Sequence, residues 1–337
     1  MAWQRLDRPT LHGSVSQTRA RLHGAALVFV RLTIVALLFG QAGAPAAGSA
    51  SLFSPWELKQ RMKSDEPLLI IDVRPPIQYL LRHLPGAYNL WRPAFQANDG
   101  EYPYQGMRAN RQKLAAQLST LGARPDILIV LYDGHDGTDA AHLWWLLKLY
   151  GHKSVAILNG GLKAWKAANY KTSLKPAGSP AKTKYQFSGR EHSEYLAELP
   201  QVKQASEDNR TLLVDVRSYE EYSGVTRQFG AYRKGRIPGS IWFDYRNAVD
   251  ETGFVKAEKL KQALQRKGIT EDKEIILYCQ SGVRSAHSLF VLTQLLDYPN
   301  VRNYDGSWVE WSWHRALPAL DDTKKTNTFG NKAAMVD

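Results

Sequence analysis

The sequence predicts an α/β protein of two similar domains, each a parallel sheet with helices on both faces. Three observations carry that prediction. Apolar runs of strand length alternate with helical stretches, the whole alternation occurs twice, and 337 residues suit two domains of roughly 100–200 residues better than one core.

The repeat is read from spacing. Leu131 to His152 (LYDGHDGTDAAHLWWLLKLYGH) has the layout of Leu277 to Tyr298 (LYCQSGVRSAHSLFVLTQLLDY), 146 positions further on. Asn159 to Trp165 (NGGLKAW) matches Asp305 to Trp311 (DGSWVEW) at the same spacing, and a constant offset across two motifs marks a duplication. Upstream, Leu68 to Tyr79 pairs with Leu212 to Tyr222, and His83 to Leu90 with Arg236 to Phe243. The second copy carries about ten extra residues between Tyr222 and Arg236.

Each copy therefore runs through an apolar strand ending in Asp-Val-Arg, a helix, a Pro-Gly turn, another helix, a second apolar strand, a Gly-containing loop, a long helix and a last short strand. On the long helix of the first copy, Leu143, Trp144, Trp145, Leu147 and Leu149 are expected to pack in the core rather than to hold a cofactor. The first domain is placed at 51–170 and the second at 190–320. The Pro-, Gly-, Ser- and Lys-rich stretch 171–189 links them, and 321–337 is a polar tail with little to bury.

Residues 1–50 read as an export signal or N-terminal anchor: a basic stretch to about His23, an apolar stretch from Ala25 to Gly40 interrupted by Arg31, then small residues up to Ser51. The expectation is an exported, periplasmic protein that meets a membrane only if this segment stays uncleaved. A single cysteine cannot close an intramolecular disulfide, so Cys279 needs another explanation.

With 44% hydrophobic and 23% charged residues the composition is that of a compact protein, not a disordered one. The formal charge is +12, of which +4 lies in the first fifty residues. No Lys/Arg run is interleaved with aromatics on one element, so no nucleic-acid partner is expected. The histidines show no His-x-x-x-His spacing, Cys-x-x-Cys is absent and no Gly-rich phosphate loop occurs; neither a metal nor a cofactor is expected.

Chemistry concentrates after the second copy's second apolar strand, in EIILYCQSGVRSAHS. Cys279 stands just past the strand's carboxyl end, where open parallel sheets bind ligands, and a helix opens around Ser285. Backbone N–H groups and the helix N-terminus give such a loop positive potential. Arg284 follows five positions later with no acid between, an arrangement that favours the thiolate. A cysteine phosphatase loop has five residues between Cys and Arg. Here Gln280, Ser281, Gly282 and Val283 make four, a smaller ring that suits one sulfur atom.

With Asp215-Val-Arg217, Arg236-Ile-Pro-Gly-Ser240, Cys279-Gln-Ser-Gly-Val-Arg-Ser285 and Asp305-Gly-Ser-Trp308-Val-Glu-Trp311 all in register, the chain resembles tandem rhodanese-like sulfurtransferases from about Ser51 to Leu320. The resemblance implies that Cys279 takes sulfane sulfur from a small anionic donor, holds it as a persulfide and passes it to a thiophilic acceptor such as cyanide, a thiol or a protein. Gln280, Ser281, Gly282, Val283, Arg284 and Ser285 form the cradle. Arg217 is expected to bind the donor's anionic end with help from Arg284, and Arg227, Arg233 and Lys234 to form a cationic rim. Asp133 replaces the nucleophile in the first copy, which is therefore silent and walls the cleft.

Thiosulfate ranks first as donor because an arginine in the loop suits a dianion. The alternative is 3-mercaptopyruvate, polarised by a triad of Ser281, His83 and Asp72. A reading of another class is a persulfide carrier or binding protein that delivers sulfur to a partner.

Overall fold

The computed structural model describes residues 51–208 and 210–324. The export-signal segment and most of the tail lie outside the described residues. Among the described residues no helix is long and apolar enough to cross a membrane.

Two five-stranded sheets share one design. The first has the order β1-β5-β4-β2-β3, built from β1 (Leu52–Phe53), β2 (Leu68–Asp72), β3 (Tyr88–Asn89), β4 (Leu128–Tyr132) and β5 (Val155–Leu158). The second has the order β6-β12-β11-β7-β8, built from β6 (Leu196–Ala197), β7 (Thr211–Asp215), β8 (Ile241–Trp242), β11 (Glu274–Tyr278) and β12 (Val301–Tyr304). Every pairing in both sheets is parallel, and a separate hairpin pairs β9 (Val249–Asp250) with β10 (Gly253–Phe254). The central strands are continuous apolar runs because helices cover both faces, leaving no solvent side to alternate with.

The helices α4 (Thr138–Leu149) and α9 (Val283–Phe290), which follow the two loops, pack against each other, so one hydrophobic core runs through both domains. Leu143, Trp144, Trp145, Leu147 and Leu149 are all buried in it, and Trp144 meets Phe290 edge-on at 5.0 Å.

The register between copies slips by one residue within this unit. The loop before α4 is capped by Gly137 and that before α9 by Gly282, an offset of 145 rather than 146. A π-turn at Val291–Leu295 absorbs the extra residue before β12 restores the spacing.

The linker is a strap rather than a free tether. Ser173 pairs with His83 in both directions at 3.0 and 2.8 Å, and Tyr185 and Phe187 are buried against the first domain. At the other end, Leu320 pairs with Arg236 and Asp322 forms an ion pair with Arg236 at 2.9 Å, so the tail's first residues are anchored rather than loose.

Candidate active site

Strand β11 ends at Tyr278, and Cys279 follows it as a free, buried thiol with 1 % of its surface exposed. Tyr278 fixes the strand end by donating to Ser240 Oγ at 2.9 Å and accepting from the Ile237 amide at 3.2 Å, which ties the Pro-Gly turn to the loop. Gly282, at φ 78°, turns the chain into α9. A Cβ there would lie 2.6 Å from Asp305 Oδ1, so both the left-handed backbone and the close approach require glycine.

Ser307, at the start of α10 (Ser307–Trp313), staples the loop from below. Its hydroxyl accepts from the amides of Cys279 (3.0 Å) and Gly282 (3.1 Å) and donates to the Tyr304 carbonyl (2.6 Å). Its φ is 49°, where the first domain has Gly161 at φ 53°. The second domain accepts a strained serine, and its hydroxyl sits under the Cys279 amide. Sequence reasoning gave Ser307 no role; the only signal was a serine where the matching copy has glycine.

Above the staple, the amides of Gln280, Ser281, Val283, Arg284 and Ser285 have no acceptor among the described residues. Three of them are the first donors of α9, which an anion at a helix N-terminus would satisfy. The Ser285 hydroxyl lies 3.5 Å from Cys279 Sγ.

The first domain shows the same loop occupied. Asp133 stands at the position of Cys279, and its Oδ1 accepts from the amides of His135 (3.0 Å) and Gly137 (3.1 Å). Burial and the neighbouring Asp136 push its carboxyl up to about 7. In the second loop, with a thiol in place of the carboxylate, the Gly282 amide that matches Gly137 goes to Ser307, while those of Gln280, Ser281, Val283, Arg284 and Ser285 stay open.

Both arginines expected at the donor are paired with carboxylates. Arg217 is buried and bound to Asp215 (2.5 Å) and the Gly235 carbonyl (2.9 Å), with its guanidinium 5.0 Å from the Trp308 ring centre. Arg74 makes the same contacts in the first domain, to Asp72 (2.5 Å) and the Arg82 carbonyl (2.6 Å). The domain without a cysteine carries the same clamp, and a buried guanidinium stays where its charge is paired, so the charge of Arg217 is spent on Asp215. Arg284 reaches Glu221 with two bonds, at 2.7 and 2.9 Å, so its charge is already matched. Burial alone would raise the Glu221 carboxyl, but the hydrogen bonds and charge of Arg284 hold it below its usual range.

The triad of Ser281, His83 and Asp72 does not assemble. His83 engages the Tyr79 and Lys175 carbonyls at 2.7 and 3.0 Å and stacks on Tyr79, while Asp72 is taken by Arg74. Ser281 instead faces the 96–107 loop of the first domain, so closely that a Cβ at Gly106 would lie 2.7 Å from its own. The cationic rim is also altered: Arg233 is drawn inward to the Leu317 carbonyl (2.5 Å), whereas Arg227 and Lys234 stay exposed.

The domains are bridged beside the loop by groups that spacing did not reveal. Arg108 binds Asp305 through its side chain (3.3 Å) and its amide (2.9 Å), and Tyr104 donates to Glu310 at 2.7 Å. Among the described residues no cluster of His, Cys, Asp and Glu has the arrangement of a metal site.

Comparison with known proteins agrees with this architecture. The family model described as Rhodanese-like domain matches residues 54–168 and again 198–314. The chain is 33% identical over 259 residues to the sulfur carrier protein TtuD of Thermus thermophilus, covering 74% of this chain and 86% of that one. It is 31% identical to a thiosulfate sulfurtransferase of Azotobacter vinelandii, covering 79% and 96%, and 35% identical to a putative thiosulfate sulfurtransferase of Saccharopolyspora erythraea, covering 68% and 81%. Among solved structures, YnjE superposes with a TM-score of 0.72 at 22% identity, over 80% of this chain and 68% of that one, a likeness of fold. The chain belongs to the rhodanese-like family, with two such domains in tandem, and is a sulfurtransferase.

Proposed function

We propose that Cys279 carries sulfane sulfur as a persulfide, taken from thiosulfate and given to a thiophilic acceptor such as cyanide or a thiol. The observation that supports this is the set of five open amides around a buried thiol, in the loop that matches the one where the first domain seats the Asp133 carboxylate on backbone amides. In the first half-reaction the Cys279 sulfur attacks the sulfane sulfur of thiosulfate, the donor's S–S bond breaks and sulfite leaves with the electron pair. In the second, the acceptor attacks the outer sulfur and Cys279 is regenerated. The outer sulfur carries negative charge, and the free amides of the loop and of the α9 N-terminus stabilise it.

With Arg217 and Arg284 both paired, the amides rather than a free arginine are the donor-binding element in this reading. Thiocyanate formation with cyanide as acceptor, comparing thiosulfate with 3-mercaptopyruvate, tests it. Faster turnover with thiosulfate supports the reading, and a mercaptopyruvate preference replaces the donor. Cys279→Ser should abolish transfer from either donor, and retained activity would sink the mechanism. Export belongs to the same proposal, and periplasmic recovery of the full chain after cell fractionation tests it.

A further inference from the structure

The insertion that distinguishes the second domain, residues 223–235, lies against the reactive loop: Gln280, next to Cys279, donates to the Phe229 carbonyl at 2.9 Å. The Phe229 side chain is 90 % exposed, the highest among the large apolar residues described. Beside it, the Tyr232 amide donates to Ser312 at 3.0 Å, Arg315 stacks over the Tyr232 ring at 4.1 Å, and Trp313 is half exposed. The insertion contains no acid. Arg227, Lys234 and Arg315 have no carboxylate partner among the described residues, whereas Arg74, Arg217, Arg236, Arg246 and Arg284 are each paired. An apolar and aromatic patch ringed by uncompensated cations, continuous with a nucleophile that is 1 % exposed, fits a partner that is acidic at its docking face and slender at its reactive end.

We propose that residues 223–235 and the end of α10 dock an acidic protein acceptor that offers its thiol on an extended segment. The proposal rests on the persulfide reading of Cys279. In the transfer, the acceptor thiolate attacks the outer persulfide sulfur. A new S–S bond forms as the old one breaks, and the electron pair returns to Cys279 Sγ, so no external oxidant or reductant is needed. A nucleic acid is disfavoured because a nucleobase takes sulfur only after separate activation, whereas a thiolate takes it directly.

The test charges the full chain with thiosulfate and follows loss of the sulfur adduct by intact-mass spectrometry. Three peptides of equal length ending in Cys serve as acceptors: one rich in Asp and Glu, one of Gly and Ser, one rich in Lys. The acidic peptide should take sulfur about 10-fold faster than the neutral one at low salt, and the gap should close as salt rises. Arg315→Glu should cut the lead of the acidic peptide over the neutral one, and Phe229→Ala should slow all three peptides, while both leave transfer to cyanide unchanged. Equal rates for all three peptides, or a preference that survives undiminished in Arg315→Glu, overturns the surface. So does single-stranded RNA that blocks acidic-peptide transfer while the peptides show no charge preference. A chain that never gains sulfur refutes the Cys279 reading itself; one that gains it and serves cyanide without charge preference refutes only the docking surface.

Discussion

Glu221 grips Arg284 with both carboxylate oxygens, at 2.7 and 2.9 Å, one residue beyond the Val283 that opens α9. The pair sets the charge beside Cys279: an arginine that would otherwise add a full positive charge to the loop is neutralised by a carboxylate only 4% exposed. Glu221→Gln keeps the shape and releases that charge, so the KM for thiosulfate should fall several-fold. Arg284→Gln leaves Glu221 buried without its partner and should lower stability by about 2–4 kcal/mol and raise that KM. Steady-state kinetics with denaturant titration of both variants decides it; a higher KM in Glu221→Gln would refute the charge argument.

Ser307 predicts a split between stability and chemistry. Ser307→Ala removes the acceptor for two loop amides while keeping the left-handed backbone, so it should cost about 1–3 kcal/mol and lower kcat. Ser307→Gly relieves the backbone and should recover part of the stability but none of the kcat. If glycine restores turnover, the hydroxyl staple is not what holds the loop.

Arg217 is predicted to act on stability alone. Because Arg74 repeats its contacts in the first domain, Arg74→Ala and Arg217→Ala should each lower the unfolding free energy by about 3–5 kcal/mol, the cost of breaking a buried pair. Arg217→Lys, measured at a temperature where it remains folded, should keep the KM for thiosulfate within two- to threefold, roughly the scatter of an unengaged residue. A tenfold rise would return Arg217 to donor binding.

Three buried groups beside the two loops contribute to the pH dependence of stability. His142 and His287 hold equivalent places on α4 and α9, and burial lowers them from 6.5 to about 3 and about 4. Their folded pKa values lie below the unfolded ones, so the unfolded chain takes up protons first. Stability is therefore lost as pH falls below about 6.5, by up to about 1.4 kcal/mol per pH unit for each group.

Asp133 acts in the opposite sense. With its folded pKa raised to about 7 by burial and Asp136, the folded chain is the better proton acceptor between about 4 and 7, which offsets part of the loss. Asp133→Asn should therefore be more stable than the parent at pH 8 and lose that advantage by pH 4. Urea midpoints across this range check both signs, and a parent chain whose stability stays flat from pH 7 to 4 contradicts the histidine assignment.

The repeat, the two-domain α/β plan, the placement of Cys279 at a strand end and the carboxylate of Asp133 at the matching place were all legible in one sequence. Each rests on local order: an apolar run forms a strand, a Gly-containing loop ends it, and a constant spacing shows that the same unit occurs twice. The partners of charged side chains were not legible, because an arginine's partner is chosen by which loops and helices the fold stacks against it. Asp215 lies two residues from Arg217, yet the motif alone could not say whether the guanidinium turns inward to it or outward to a donor. Glu221 and Arg284 are 63 positions apart.

The same limit explains the triad and the staple. His83 and Asp72 had the right spacing, but tertiary packing gave them to the linker strap and to Arg74. Ser307 had no motif, but tertiary packing set its hydroxyl under Cys279. Sequence by itself determined which backbone units form and where the single thiol stands along them, since those depend on residue type and on neighbours along the chain. Only the tertiary structure decided which charges are spent on holding the fold and which amides around Cys279 stay open, because burial and pairing are set by residues far apart in sequence.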